Sequence, residues 1–317
     1  MSRRARAALV ALALVWGASF LLIKLALTAM SPAQVVLVRL IAGALVLLTI
    51  LALRREHLPH GRVLWAHLLA MGVVANIVPF FMFAWGEQRI DSGLAGVLNG
   101  STPLFEVAFA TLALPAERAT PARVAGLLLG FLGVVLVVGP WELAQASGAG
   151  AGTLAGQLAC LLAAVCYGLS FVYTRKFVSG RDAVLPLAAG QLTAAAAVMV
   201  LVSPAVAAQP LRPAPLGILA AVVLGAVGTG LAYLLYYVLI DEAGATGAST
   251  VTYVIPVVAV LLGVVVLSEP LRWNLFAGAA VVLAGVGLAE GRFALPGLAR
   301  PSRQPPADDV ARPGGAR

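Results

Sequence analysis

Apolar stretches of membrane-spanning length recur along almost the whole chain, separated by short polar or charged segments. A helix needs roughly 20 residues to cross the hydrocarbon layer of a bilayer. The first stretch follows three arginines, as a signal peptide does, but it is too long for a signal peptide and lacks a cleavage site of small residues. The pattern therefore predicts ten transmembrane helices, at residues 7–27, 33–53, 64–85, 93–113, 122–140, 153–174, 184–207, 215–238, 246–267 and 273–290.

Composition supports this prediction. The chain is 61% hydrophobic and 11% charged, with a mean hydropathy of +0.99. A soluble protein of this size needs far more polar surface to cover its core. We therefore expect an all-α membrane protein, followed by a tail at residues 293–317 that is too rich in proline, arginine and glycine to fold.

The basic residues predict the orientation in the membrane. Most of them fall on the N-terminal side of the bilayer, and only Arg89, Arg212 and Arg272 fall on the other side. Since positive loops stay in the cytoplasm, both termini are predicted to be cytoplasmic. The same rule accounts for the net charge of +8 without a nucleic-acid partner. The expected partners are the lipid bilayer and a small-molecule substrate, and a monomer and a homodimer both stay open.

The second half of the sequence repeats the first about 152 residues later. The motif WGASF at 16–20 recurs as YGLSF at 167–171, and Glu117 recurs as Glu269. Each repeat has five predicted helices, and an odd number gives the two copies opposite orientations, as in many secondary transporters. The predicted parts are a first repeat at 1–145, a second repeat at 150–292 and the tail at 293–317.

The fourth predicted helix carries the clearest polar face. Asn99, Thr102, Pro103 and Glu106 are spaced so that they share one side of a helix. Proline frees a backbone carbonyl one turn earlier. A charged carboxylate inside the membrane costs roughly 2.5 kcal/mol or more, which favours either protonation or a cationic partner. Glu106 is therefore interpreted as a proton acceptor or a clamp for a substrate amine, or else as a protonated acid bonded to a neighbouring helix.

Similar faces occur on five other helices and combine aromatic rings with hydroxyl and amide groups. Such a mixture is typical of a small-molecule cavity, although each aromatic stripe alone is compatible with plain packing. The predicted substrate-binding residues are Trp16, Ser19, Asn76, Phe80, Phe83, Asn99, Thr102, Glu106, Tyr167, Ser170, Tyr233, Tyr237, Thr252 and Tyr253. The predicted helix breaks are Pro103 and Pro256, and Glu106 is the candidate for proton coupling.

Two cations also fall within the predicted spans. Lys24 and Arg39 lie within about two turns of a helix end, so each can extend its charged group to the interface. The alternative interpretation pairs one of them with Glu106 or with a substrate carboxylate. Arg39 corresponds to Gln191 in the second repeat, so the symmetry does not require its charge.

The sequence offers little for catalysis. It contains no Walker A motif, no GxSxG and no paired acids in a plausible pocket. His57, His60 and His67 lack the further ligands that a metal site needs. We expect no cofactor, no metal and no enzymatic activity, and we expect Glu117 and Glu269 to cap helices or anchor loops.

The ordered set of motifs resembles the EamA-type branch of the drug/metabolite transporter superfamily over residues 8–290. The matching positions are Trp16, Gly17, Ser19, Phe20, Pro103 and Glu117, with Tyr167, Gly168, Ser170, Phe171, Pro256 and Glu269. The chain departs from that pattern by a tyrosine at 167, where tryptophan is usual, and by the additional acid Glu106. The resemblance implies a basket of ten helices with a central cavity between helices one, three, four, six, eight and nine. It also implies a location in the bacterial inner membrane.

The resemblance and the polar faces together predict a secondary transporter. It is expected to export a small amphipathic solute, an amino acid or related metabolite, by alternating access and in exchange for protons. Two alternatives stay open at this point: an uncoupled facilitator of the same solutes and a membrane scaffold that transports nothing.

Overall fold

The computed structural model describes residues 2–114, 119–141, 150–236, 238–239, 242 and 250–292. Seven helices in this part of the chain are long and apolar enough to cross a membrane, and two apolar helices are shorter. The remaining span is made of two short segments. Over the described residues the fold is that of an all-α membrane protein with ten helices in two inverted five-helix repeats, as the sequence predicts.

The helices in chain order are α1 (Arg3–Ala26), α2 (Pro32–Leu53), α3 (Arg62–Glu87), α4 (segments Ser92–Asn99 and Thr102–Ala113), α5 (Pro121–Val138), α6 (Gly150–Tyr173, continued by Thr174–Val178), α7 (Val184–Val206), α8 (Pro215–Tyr236), α9 (Val251–Leu267) and α10 (Trp273–Ala289). We call the two ends of the bundle the Lys24 end, where α1, α3 and α9 end, and the Arg175 end, where α6 and α10 end.

Local signals explain several helix boundaries. Ser31 and Gln34 form a capping box at the start of α2, and Pro32 occupies the first turn, where its missing N–H costs nothing. The Thr120 side chain caps α5 by accepting a hydrogen bond from the backbone nitrogen of Arg123. Gly139 ends α5 in the left-handed conformation, which glycine adopts without strain. These signals set the helix ends close to the predicted ones.

The two prolines behave differently. α4 is interrupted at Gly100 and Ser101, and Pro103 lies in the first turn of the segment that follows. The break expected at Pro256 is wrong, because α9 continues through that residue. The ring of Pro256 lies against Gly100, since a methyl group on Gly100 would come within 2.9 Å of its Cγ. The interruption of α4 therefore makes room for Pro256, and α9 tolerates the one lost backbone hydrogen bond.

Within the residues that the structure describes, three helical segments widen into π-helical turns. They cover Gly72–Ile77 in α3, Thr174–Val178 at the end of α6 and Ala226–Leu231 in α8. The first and the third occupy nearly equivalent places in the two repeats. Such turns are rare and occur often at functional sites. Here they carry Asn76, Arg175 and Thr229, which are polar residues of the candidate site described below.

The two repeats are interlocked rather than side by side. α1 packs on α8 and α9 of the second repeat, and α6 packs on α3 and α4 of the first. A methyl group on Gly17 would lie 2.5 Å from Cβ of Val258, and one on Gly168 would lie 2.7 Å from the backbone nitrogen of Glu106. Each motif glycine thus lets the first helix of one repeat touch the fourth helix of the other.

α5 and α10 pack closely against each other over most of their length. Glycines on both helices line the contact, at Gly126, Gly130 and Gly133 and at Gly278 and Gly285. Without side chains at these positions the two backbones approach far more closely than larger residues permit. The glycines therefore hold the two repeats together within one chain.

Candidate functional site

Arg39 is at the centre of a buried polar cluster. Its side chain is only 8% exposed, and its Nε donates a hydrogen bond of 2.9 Å to the hydroxyl of Thr229. The guanidinium carbon lies 3.5 Å above the ring of Phe80, and Tyr167 and Tyr233 are close neighbours. Among the described residues no carboxylate lies within ion-pair distance of Arg39.

A second hydrogen bond mirrors that of Arg39. Gln191, its counterpart on α7, donates from Nε2 to Oδ1 of Asn76 over 2.7 Å, and Asn76 is also hydrogen-bonded to Tyr233. In each repeat the second helix thus contacts a π-helical turn in the third helix of the other repeat. The two half-sites differ in charge, because only the first contains a cation.

Aromatic rings continue from this cluster. The rings of Phe83 and Tyr167 have centroids 6.1 Å apart, and Phe20 meets Phe83 edge to face at 5.5 Å. Trp16 contacts Tyr236 with a centroid distance of 5.6 Å. The predicted residues Trp16, Asn76, Phe80, Phe83, Tyr167 and Tyr233 therefore occupy one continuous polar and aromatic region between the repeats.

Glu106 has a cationic partner that the sequence analysis did not identify. Its Oε1 lies 2.6 Å from a terminal nitrogen of Arg175. The alternative that paired Glu106 with Lys24 or Arg39 is therefore wrong. The side chains of Glu106 and Arg175 are 30% and 43% exposed. Arg175 corresponds to Lys24 in the repeat, and this correspondence could have identified it as a candidate partner. However, Arg175 follows the predicted span 153–174 directly, so it was interpreted as a loop residue.

Other predicted residues lie apart from this region or bond within their own helix. Ser19 and Ser170 donate to carbonyls of their own helices, at Val15 and Tyr167. Tyr253 reaches the carboxylate of Glu290 over 3.1 Å at the Arg175 end. Thr102 donates a hydrogen bond of 3.4 Å to the Asn99 side chain. Thr252 is half-buried, and Tyr237 lies outside the described residues.

The Lys24 end holds a cluster that the sequence analysis missed. Lys24 Nζ donates to the backbone carbonyls of Glu87 and Ile90 over 2.5 and 2.6 Å. The Glu87 side chain is completely buried, and neither carboxyl oxygen has a hydrogen-bond partner within the described part of the chain. The third predicted span ends at residue 85, which placed Glu87 in a loop, whereas α3 extends to Glu87 itself.

Glu269 caps a helix of the opposite repeat. Its two carboxylate oxygens accept hydrogen bonds from the backbone nitrogens of Ser92 and Gly93 over 2.7 and 2.9 Å. The expected capping role is confirmed for Glu269, and Glu117 lies outside the described residues. Burial raises the pKa of the neighbouring Asp91 carboxyl, and the Glu269 carboxylate adds to this effect.

Replacing Glu269 with alanine is expected to destabilise the chain. The first turn of α4 would lose two charge-assisted hydrogen bonds, and losing a cap costs about 0.5–2 kcal/mol. The measurement is the melting temperature in detergent, compared with Glu56→Ala in the loop after α2. If Glu269→Ala melts at the same temperature as the unaltered protein, the capping role is contradicted.

A cavity of about 230 Å³ also lies at the Lys24 end. Of the predicted substrate-binding residues that the structure describes, none lines it. Its polar lining consists of Arg89, Asp91, Thr153, Gln157, Glu269, Arg272 and Asn274. It is therefore distinct from the region around Arg39.

The family comparison agrees with this two-repeat architecture. The model of the EamA-like transporter family matches residues 5–139 and 154–290, which is one copy for each repeat. The chain belongs to the EamA-like transporter family. As a member of that family it is a multi-pass membrane transporter, and the resemblance seen in the sequence motifs is confirmed.

Relatives of this EamA-like transporter carry matching descriptions. The inner membrane transporter YedA of Escherichia coli, described as uncharacterized, is 28% identical over 311 residues, covering 96% of each chain. An uncharacterized transporter of Archaeoglobus fulgidus is 26% identical, covering 86% of this chain and 93% of its own. A crystal structure with 25% sequence identity superposes with a TM-score of 0.64 and covers 91% of this chain and 97% of its own.

Proposed function

We propose that the chain exports a small amphipathic solute, an amino acid or related metabolite, across the bacterial inner membrane by alternating access. Arg39 carries the proposal. A guanidinium buried in a membrane-spanning helix is costly without a partner, and a solute carboxylate would supply one. Arginine binds carboxylates through two parallel hydrogen bonds. Since Nε is bonded to Thr229, the terminal nitrogens of Arg39 are the proposed carboxylate donors.

The surrounding rings support an amphipathic solute. Phe80, Phe83, Tyr167 and Tyr233 surround the polar core formed by Arg39, Asn76 and Thr229. Apolar and aromatic walls with a few placed polar groups are typical of small-molecule sites. The rings would hold the apolar part of the solute while Arg39 holds its carboxylate.

Glu106 and Arg175 are the proposed latch at the Arg175 end. Their ion pair joins α4 of the first repeat to α6 of the second, so it must part when the repeats move relative to each other. Partly exposed ion pairs contribute only about 0–1 kcal/mol. A latch of this strength is suited to repeated opening, and in this proposal that end faces the cytoplasm.

The test is a transport assay with the purified protein in liposomes. The vesicles are loaded with amino acids and other carboxylated metabolites together with matched amines, and the loss of each compound is followed by mass spectrometry. Selective loss of carboxylated solutes, faster with an imposed pH gradient, is the expected result. Loss that ignores the gradient would favour a facilitator. Loss of amines alone, or no loss beyond protein-free vesicles, would contradict the proposal.

A further inference from the structure

We propose that Glu87 binds the proton of the transport cycle. We further propose that Lys24 links the charge state of Glu87 to the position of the turn between α3 and α4. This inference rests on the proposed function and identifies the proton site of that transporter. It assigns a role to a buried acid that the central region around Arg39 does not use.

The first observation is the unsatisfied carboxyl group. Glu87 has no exposed surface, and both carboxyl oxygens lack hydrogen-bond partners among the residues that the structure describes. An ionised carboxylate that is buried without partners costs several kcal/mol. The geometry is therefore that of the neutral acid, with its proton bound.

The second observation is the position of Lys24. Its ammonium is held by the carbonyl oxygens of Glu87 and Ile90, at 2.5 and 2.6 Å, and not by the Glu87 carboxyl group, which has no ion pair among the described residues. These two bonds tie α1 to the turn between α3 and α4. A lysine ammonium has three N–H donors, and two of those of Lys24 bond to the turn while Glu87 is neutral.

Charged and titratable groups face Glu87 from several elements. Lys24 on α1 and Arg39 on α2 favour its ionised form, whereas Glu269 after α9 opposes that form. Cys160 on α6 is a further buried neighbour. Lys24 is already bonded to the backbone of Glu87, so it can form an ion pair with the carboxylate once the proton leaves.

The proposed step is a proton transfer with one change of partner. The O–H bond of the Glu87 carboxyl breaks and the proton passes to water. The new carboxylate then draws the ammonium of Lys24 away from the two carbonyls, because a bond to a charged acceptor is stronger than one to a neutral carbonyl. The turn between α3 and α4 loses its tie to α1, and the Lys24 end can open. Protonation reverses the exchange and closes that end.

Glu106 is less suited to this role. It already forms an ion pair of 2.6 Å with Arg175 and is 30% exposed. Its carboxylate is thus already committed to a charge-assisted hydrogen bond with a guanidinium. The proton site is therefore assigned to the Lys24 end and the latch to the Arg175 end.

The test measures how accessible the turn is at different pH values. The two natural cysteines, Cys160 and Cys166, are replaced by alanine, and Ser92→Cys supplies a fully buried reporter of nearly the same size. The purified protein is treated with a membrane-impermeant methanethiosulfonate reagent. Because thiol reactivity itself rises with pH, each labelling rate is divided by that of the same reporter combined with Glu87→Gln, which mimics the neutral acid.

We expect the ratio of the labelling rate with Glu87 to the rate with Glu87→Gln to be about one at low pH. At high pH it should rise to about ten or more, because the population of the open Lys24 end increases. Glu56→Gln, the matched control in the loop after α2, leaves the rise unchanged. Lys24→Met, which lacks the tie, labels rapidly at every pH. A ratio that stays flat with pH would overturn the proposal, as would slow labelling of the Lys24→Met protein.

A second measurement separates this proposal from the transport function. In liposomes, Glu87→Gln is expected to abolish solute accumulation driven by a pH gradient while leaving solute counterflow intact. Loss of both, or retention of both, would contradict the proton role. If the unaltered protein transports nothing, the proposed function fails, and the labelling ratio still decides whether Glu87 controls the turn.

Discussion

Replacing Arg39 with glutamine is expected to reduce transport of a carboxylated solute by tens- to thousands-fold and to leave the chain folded. Removing one partner of a buried charge pair costs about 2–5 kcal/mol, which gives this range of rates. The fold should survive because Gln191, at the equivalent position of the second repeat, already makes the corresponding hydrogen bond to Asn76 over 2.7 Å. A glutamine at 39 can donate to Thr229 in the same way.

Initial rates of counterflow in liposomes measure this effect, and size-exclusion profiles in detergent check the fold. Arg181→Gln, in the exposed loop after α6, is the matched control and should transport normally. Arg39→Lys keeps the charge but loses the planar fork, so an intermediate rate is expected. Full transport by folded Arg39→Gln protein would show that Arg39 serves only helix packing.

Replacing Gly285 with leucine is expected to cause the largest loss of stability. A methyl group alone at this position would lie 2.3 Å from the backbone nitrogen of Gly130 and 2.4 Å from its Cα. Backbone atoms cannot turn aside as a flexible side chain does, so α5 and α10 must separate. Overpacking typically costs about 1–3 kcal/mol, and a clash with backbone exceeds the usual case.

Gly152→Leu is the matched control, because nothing lies within 4 Å of the position that its Cβ would occupy. The measurement is the yield of monodisperse protein after heating in detergent, followed by fluorescence-detected chromatography. We expect Gly285→Leu to aggregate at a much lower temperature than the parent, and Gly152→Leu to match the parent. Equal stability of the two variants would mean that the close helix pair contributes little.

The sequence predicted the spans well, because their length and apolar character are set by the bilayer itself. The predicted span 33–53 and the observed helix Pro32–Leu53 differ by one residue. The repeat was equally readable, since it is a property of the sequence. The break expected at Pro256 failed for a spatial reason. α9 is packed against the interrupted part of α4 there, and the sequence does not show that contact.

The candidate site was predicted less completely. The aromatic and amide residues on α3, α6 and α8 were found from their helical spacing, and most of them do meet around Arg39. The partners were not found, because Arg175 and Glu106 are far apart in sequence and belong to different repeats. Glu87 was missed by a boundary error of two residues, which moved a buried acid into a loop. Spacing identifies faces, whereas pairing across the repeats depends on the packing of the whole bundle.

The interlocking of the repeats has a consequence for biogenesis. As the ribosome synthesises the chain, α1 to α5 enter the bilayer before α6 to α10 exist. At that stage Gly17 has no Val258 to meet, Arg39 has no Thr229 to bond, and the glycines of α5 have no α10 to cover them. Lipid tails cannot supply the hydrogen bond that Arg39 lacks, and the packing between the repeats is missing. We therefore expect the N-terminal half to be a loosely packed intermediate at that stage. A chain truncated after α5 would thus be a substrate for membrane proteases and not a half-sized transporter.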